Sequence, residues 1–220
     1  LTTAPQAEAR ELSYNSYNIG KKNIKLAIPA NTCVLNPKIT SDNYMLNAVK
    51  NSIKGSNELV LKFADCQELK NWRTGKQKYL DNFGSYQISV KLKNMDLSGQ
   101  IAESINSICD VYKKQGSKMF KDIQPDINKR VEDSFKNVQM NKIELLGIVK
   151  ENDEICAVAT FQRLKTTDGS TKDQINVYSI TILNGELIFS YLFAPNSVDV
   201  VDQLTDQIVA LNKFNQQLNK

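Results

Sequence analysis

The sequence predicts an α+β fold, a three-layer α/β/α sandwich in which helices cover both faces of a mostly antiparallel sheet. From Lys142 onward, apolar residues recur with the period of strands through four consecutive segments, and a helical period follows them. The last two of these segments carry large apolar residues on both faces, which is typical of strands covered on two sides. The C-terminal part is therefore expected to be a four-strand meander followed by a helix.

The first half of the chain alternates strands with helices, and each helix has residues that can begin or end it. The predicted elements are a strand at 24–28 that Pro29 stops, a helix that Ser41 and Asp42 cap and Gly55 ends, a strand at 58–64, a short helix with Asp65 and Glu68 as a capping box and Gly75 at its end, and a strand at 86–92 with one exposed polar face.

The second half begins with a long helical region. Gly116 and Pro125 are expected to divide it into at least two helices, because proline inside a helix removes a hydrogen bond. Asn184 and Gly185 form the strongest hairpin turn, and Asn196 with Asp199 is expected to cap the last helix. The predicted strands of the meander lie at about 142–150, 154–164, 174–183 and 186–193.

Length and composition indicate one domain. The chain has 220 residues, of which 41% are hydrophobic, enough for one substantial core. We assign residues 1–12 to a flexible polar tail and residues 13–220 to a single α+β domain. No run of about 18 apolar residues occurs, so no transmembrane segment is expected.

The absence of histidine narrows the chemistry available. It excludes Ser-His-Asp triads, Cys-His dyads, His-ligated zinc and imidazole acid–base catalysis. Carboxylates, lysines, tyrosines and thiols remain. Because no catalytic, metal-binding or phosphate-binding motif is evident, we expect no cofactor, no metal ion and no catalytic residue.

The four cysteines indicate an oxidising compartment. Together with a chain that starts at Leu1 rather than Met, they predict an exported protein of the periplasm or the extracellular space. Cys33 and Cys66 each lie just beyond a predicted strand, and we expect a structural disulfide between them. The rival hypothesis makes Cys66 a reactive thiolate in the first turn of a helix. Cys109 and Cys156 are either a second pair or buried thiols.

Candidate binding surfaces are few. The net charge of +4 is spread along the chain and mixed with acidic residues, so no nucleic-acid partner is expected. Trp72, Arg73 and Lys76 form a possible interaction surface, because Trp and Arg are enriched at binding hot spots; packing of Trp72 on a disulfide is the alternative. Tyr14 and Tyr17 are either aromatic platforms or part of an edge strand.

The segment from Glu58 to Arg73, which contains Asp65-Cys66-Gln67-Glu68-Leu69, and the segment 80–86 resemble a group of uncharacterised exported proteins from proteobacteria. An earlier cysteine after a strand and a proline, here Ile28-Pro29 and Cys33, accompanies these segments in that group. The resemblance covers residues 24–92 best and implies compartment and fold. The order of elements is also similar to the PsbP-type sandwich, which non-catalytic binding and assembly proteins use.

These observations favour a non-catalytic, exported bacterial protein of the cell envelope or the secreted fraction that works by binding a protein or an envelope ligand. Two alternatives belong to other classes. One is a hydrolase with paired carboxylates, which requires two Asp or Glu side chains to converge in a cleft. The other is a thiol redox protein that uses Cys66.

Overall fold

The structure, a computed structural model, describes residues 12–135 and 138–220. The predicted tail therefore lies outside the described residues except for Leu12. Nine strands and four helices are described, together with a short 3-10 turn at Ser98–Gln100. They are β1 (Ser13–Ile19), β2 (Lys22–Ile28), β3 (Thr32–Val34), α1 (Thr40–Ile53), β4 (Asn57–Asp65), α2 (Cys66–Arg73), β5 (Phe83–Ser89), α3 (Ile101–Ser134), β6 (Val138–Asn152), β7 (Ile155–Thr166), β8 (Thr171–Leu183), β9 (Glu186–Pro195) and α4 (Val200–Leu218).

The sandwich has a seven-stranded, fully antiparallel sheet at its centre, with strand order β3-β4-β5-β9-β8-β7-β6. The β1-β2 hairpin and α4 cover one face, and α1 and α3 cover the other. The predicted α+β sandwich, its four-strand meander and its final helix are thus confirmed. Asn184 and Gly185 both have positive φ, 50° and 77°, as the predicted hairpin turn requires.

A buried hydrogen-bond network fastens α4 and β2 to the sheet. The Tyr86 hydroxyl donates to the carbonyl of Ala27 at 2.9 Å and accepts from Asn215 at 3.2 Å. Asn215 in turn accepts from the backbone N–H of Ala27 at 2.6 Å. All of these polar groups are buried and hydrogen-bonded to one another. The network therefore fixes where α4 lies relative to β2 and the sheet.

The prediction that Gly116 and Pro125 divide the long helix is wrong, because α3 runs unbroken for 34 residues. Pro125 is exposed, so the helix loses one hydrogen bond where water can compensate for it, while packing on the sheet holds the two halves in line. Gly116 has a packing role instead. A Cβ at this position would lie 2.6 Å from Cδ2 of Leu145, so the glycine lets α3 approach β6 closely.

Two predicted helix caps are also wrong. Ile39 stands at the N-cap of α1 and Asp199 at that of α4, and neither helix has a side-chain cap hydrogen bond. Asp42 is fully buried and bonded elsewhere, while Asp199 has a left-handed backbone, with φ of 64°. The Asp65 cap of α2 is confirmed, since its carboxylate accepts from the backbone N–H groups of Gln67 and Glu68.

The strand predicted at 86–92 is displaced and has no exposed polar face. It occupies Phe83–Ser89, and both Ser85 and Gln87 are buried. Alternation alone could not show that α1 and α3 cover this face. The residues 13–18 form strand β1, in agreement with the edge-strand alternative for Tyr14 and Tyr17.

Candidate functional site

A cavity of about 280 Å³ lies on the α1/α3 side of the sheet, and we call it the Lys62 cavity. Its floor is formed by side chains of β4, β5, β7, β8 and β9, and its walls by α1, the end of α3, the start of β6 and the segment from Trp72 to Leu80. The lining residues are Met45, Val49, Ser52, Ile53, Lys62, Trp72, Lys78, Tyr79, Leu80, Phe83, Ser85, Gln87, Val131, Phe135, Val138, Met140, Gln162, Leu164, Thr166, Lys172, Gln174 and Phe193. None of these residues is acidic.

Lys62 is the unusual member of this set. It belongs to a central part of β4, and its side chain points to the face opposite Leu61 and Phe63, so it enters the cavity rather than solvent. Only 6% of its surface is exposed. Its ammonium group lies 3.9 Å from the centroid of the Phe83 ring, which offers a cation–π contact. Burial lowers the pKa of Lys62 to about 7.

Polar side chains lie beside Lys62 on the same face of the sheet. Ser85 is directly opposite Lys62 in the β4-β5 pairing. Its hydroxyl oxygen accepts from Gln87 at 3.3 Å, and Gln87 accepts from Asn57 at 3.0 Å. The Tyr79 hydroxyl is buried and has no hydrogen-bond partner among the described residues. The cavity therefore contains polar groups that can still form hydrogen bonds with a ligand.

Aromatic rings continue the floor of the cavity across the sheet. Phe83 and Phe193 stack with their centroids 4.6 Å apart, and Phe193 is followed by Tyr191 at 6.4 Å. Tyr191 stacks on Tyr178 at 5.4 Å. The result is a continuous row of aromatic rings that starts beside Lys62 and runs under α3.

The two disulfides hold the helices that build the cavity. Cys33 of β3 is joined to Cys66 at the start of α2, with 4.9 Å between the Cα atoms. Cys109 of α3 is joined to Cys156 of β7, with 5.6 Å between the Cα atoms, and both residues are fully buried. The chain contains four cysteines, so none is left as a free thiol. A redox role of Cys66 would therefore require its bridge to be reduced first.

The residues Trp72, Arg73 and Lys76 are placed in different environments. Trp72 is half-buried and lines the cavity beside the cluster that includes Cys33. Arg73 is engaged by Asp42, to which it donates from Nε at 2.9 Å and from a terminal nitrogen at 2.5 Å. Lys76 is exposed. A common interaction surface of the three stays a prediction.

The Asp42–Arg73 pair joins α1 to α2, the two helices at one end of the cavity. Asp42 also accepts from the backbone N–H of Asn36 at 2.7 Å. Burial opposes ionisation of Asp42, but the hydrogen bonds from Arg73 and Asn36 and the guanidinium charge outweigh it and hold the pKa of this carboxyl below its ordinary value.

Replacement of Asp42 tests this link. We expect Asp42→Ala to lower the free energy of unfolding by about 2 to 3 kcal/mol at neutral pH, below the full cost of breaking a buried pair because Arg73 remains partly exposed. A depressed pKa gives stability that is present above the unfolded value and is lost as pH falls through the folded value. The difference from wild type should therefore shrink below about pH 4 in urea unfolding curves. Asn43→Ala, at an exposed neighbouring position, is the control and should change little; an equal loss there would contradict the assignment.

Glu68 positions the segment that carries Lys78, Tyr79 and Leu80 into the cavity wall. Its carboxylate accepts from the backbone N–H groups of Asp81 at 2.7 Å and Asn82 at 3.0 Å. The predicted capping box is thus only half present, because Glu68 bonds this loop rather than returning to Asp65. The backbone N–H of Asp65 donates to the carbonyl of Asn82 instead.

A second groove, of about 550 Å³, bears on the hydrolase alternative because it contains three carboxylates, Glu144, Asp199 and Asp202. All three are exposed, and Glu144 forms an ion pair with Lys142 at 2.6 Å. A general acid needs an environment that keeps it protonated, usually by burial, and these positions do not provide one. Within residues 12–135 and 138–220, no group of three or more Asp, Glu, Cys or His residues could hold a metal ion.

Sequence reasoning missed Lys62 and Tyr79, although the sequence contains a signal for Lys62. It is the one charged residue in the otherwise apolar run from Leu59 to Ala64. A central strand covered on both faces leaves such a lysine no route to solvent. No local pattern identifies Tyr79.

Comparison with known proteins gives structural neighbours only. No protein-family profile matches the chain, and no curated protein matches it significantly. Similar solved structures include the solution structure of cyanobacterial PsbP (CyanoP) from Synechocystis sp. PCC 6803, at 16% identity, with a TM-score of 0.42 and 96% of each chain covered. Two others are a point mutant of the protein Mog1, at 6% identity and a TM-score of 0.37, and the Saccharomyces cerevisiae Ran-binding protein Mog1p, at 4% and 0.33. Both cover 94% of this chain and 93% of theirs.

A cyanobacterial PsbP protein is thus among the structural neighbours. These matches do not bear on the resemblance to the proteobacterial group, which stays a hypothesis. In the described part of the chain, no helix combines the length and the apolar character needed to cross a membrane.

Proposed function

We propose that this chain is a non-catalytic binding protein of an oxidising compartment, and that it holds a small apolar ligand in the Lys62 cavity. The observation that carries the proposal is the cavity itself, which combines an apolar, aromatic floor with a few unpaired polar groups. Ligand sites in proteins have this composition, with typical volumes of about 300 to 1,000 Å³. At about 280 Å³, the cavity fits a small ligand.

Two further observations support the compartment and the binding role. Two disulfides, one of them fully buried, are typical of proteins that fold outside the cytoplasm. The bridges and the Asp42–Arg73 pair fix α1, α2 and α3 around the cavity. Because these walls are already ordered, the protein loses less conformational entropy when a ligand binds.

The single tryptophan makes the proposal testable at this site. Trp72 lines the cavity, so a bound dye that accepts energy from tryptophan reports binding there. We expect the neutral apolar dye N-phenyl-1-naphthylamine to bind the native protein saturably, with one-to-one stoichiometry and quenching of Trp72 emission.

A variant whose cavity is filled by a larger side chain tests whether the dye binds in the cavity. Ser52→Phe places a ring in the cavity and should weaken dye binding by about tenfold or more. Asn51→Phe adds the same ring at an exposed position one residue away and should leave binding unchanged. If Ser52→Phe does not fold, as judged by its thermal transition, Val49→Phe serves the same purpose. Equal dye binding by wild type and a folded cavity variant would overturn the proposal.

A further inference from the structure

The charge of Lys62 is uncompensated inside the cavity. Among the described residues, no carboxylate lies within ion-pair distance of its ammonium group. Burying an ammonium group without a counter-ion is costly. The Phe83 ring supplies only a weak substitute. A lysine in this position is suited to an anion that arrives from outside.

The other two lysines of the cavity already have acidic partners. Lys78 forms an ion pair with Asp168, and Lys172 forms one with Asp81. Lys172 also donates to the carbonyl of Leu80 at 3.0 Å. Lys62 is thus the one cavity lysine whose charge no described carboxylate neutralises.

Two neutral donors line the same cavity as Lys62. Ser85, opposite Lys62, accepts a hydrogen bond from Gln87, and its own hydroxyl proton has no acceptor among the bonds formed by the described residues. The Tyr79 hydroxyl has no hydrogen-bond partner in the part of the chain that the structure describes. One charged and two neutral donors correspond to the acceptor capacity of a carboxylate, which has two oxygens and about four lone-pair sites.

The rest of the cavity is apolar. Four residues of α1 and α3, namely Met45, Val49, Ile53 and Val131, face the stacked rings of Phe83 and Phe193. Acyl chains fill such space without leaving polar groups unpaired. Resting on the proposed function, we propose that the Lys62 cavity binds an apolar molecule that ends in a carboxylate, with the ammonium group of Lys62 and the hydroxyls of Ser85 and Tyr79 holding the acid.

Binding of an acid at this place is linked to pH. Lys62 must be protonated in the complex, and in the free protein burial lowers its pKa to about 7. The affinity should therefore fall as pH rises above about 7, because each complex must then take up a proton. The other titratable groups that line the cavity are Lys78, Tyr79 and Lys172, whereas the lining residues of α1 and α3 are all uncharged and non-titratable.

The test compares octanoate with octan-1-ol, which has the same chain length and no charge. Binding to the full chain is followed by Trp72 fluorescence at about pH 6, where both Lys62 and the acid are charged. We expect octanoate to bind at least about tenfold more tightly than octan-1-ol, as a charge-assisted hydrogen bond in a desolvated site provides. In Lys62→Met this preference should disappear while octan-1-ol still binds. Lys91→Met, a change to an exposed lysine outside the cavity, should keep the preference.

Each outcome separates the two proposals. If octan-1-ol and octanoate bind wild type equally, the cavity is a ligand site but the assignment of a carboxylate ligand is overturned. If neither binds, the proposed function fails as well. If Lys62→Met retains the preference, the acid lies elsewhere and the inference is wrong.

Discussion

Lys62→Met is expected to raise the free energy of unfolding by about 2 to 4 kcal/mol at pH 6, because it replaces a buried, unpaired charge by an apolar side chain of similar length. In the folded chain the pKa of Lys62 is about 7, against 10.5 for an ordinary lysine. The difference corresponds to at most ~5 kcal/mol of destabilisation while the group is charged. Replacement of a binding residue is thus expected to stabilise the protein, as happens at functional sites that are built at the expense of stability.

The pH dependence of this stability difference shows whether the charge of Lys62 causes it. Between about pH 7 and 10.5 the unfolded chain binds more protons at Lys62 than the folded chain does, so wild-type stability rises with pH in this window. The advantage of Lys62→Met should be complete below about pH 7 and should shrink toward pH 10. Lys91→Met, at an exposed lysine, is the control and should be nearly neutral at both ends of the range. Urea unfolding at the two pH values measures both variants, and an unchanged or lowered stability of Lys62→Met would refute the burial of an uncompensated charge.

Removal of the buried disulfide should have an effect of similar size and opposite sign. We expect Cys109→Ala combined with Cys156→Ala to lower the free energy of unfolding by about 4 kcal/mol, because the bridge closes a long loop and restricts the unfolded chain. The two cysteines are 47 positions apart and link α3 to the sheet. Denaturant unfolding without reductant measures the loss.

The other bridge provides the matched comparison. Cys33→Ala with Cys66→Ala opens a loop between positions 33 apart and should cost a similar amount by the same chain-entropy argument. A loss below about 1 kcal/mol for the Cys109/Cys156 variant would contradict a bridge that is formed in the native protein.

The sequence predicts the meander and the final helix well because their signals are local. Alternation identifies β6 to β9, and Asn184-Gly185 supplies the positive φ values of the tightest turn. The long helix was predicted less well, since Pro125 acts on one local hydrogen bond while packing along α3 acts on the whole helix. Local sequence patterns do not show how strongly the sheet stabilises α3, so they could not show that this packing outweighs the hydrogen bond lost at Pro125.

The candidate site was less predictable for a related reason. The polar residues of β5 were expected to face water because their alternation is that of a half-exposed strand. In the fold, α1 and α3 come from distant parts of the chain and cover Ser85, Gln87 and Lys62 together. Likewise, Asp42 has the residue type and position of a helix cap, yet its partner is Arg73, 31 residues away. Such partners follow from the tertiary arrangement rather than from spacing.

The most direct test of the central claim is an NMR titration of lysine side chains labelled with ¹³C at Cε, with the Lys62 signal assigned by its loss in Lys62→Met. Burial predicts that this one resonance titrates with a pKa of about 7 in the free protein. Saturation with octanoate should move its pKa upward toward the ordinary lysine value, because the carboxylate stabilises the ammonium form. A Lys62 resonance that titrates near 10.5 in the free protein and does not respond to octanoate would contradict both the buried charge and its role in ligand binding.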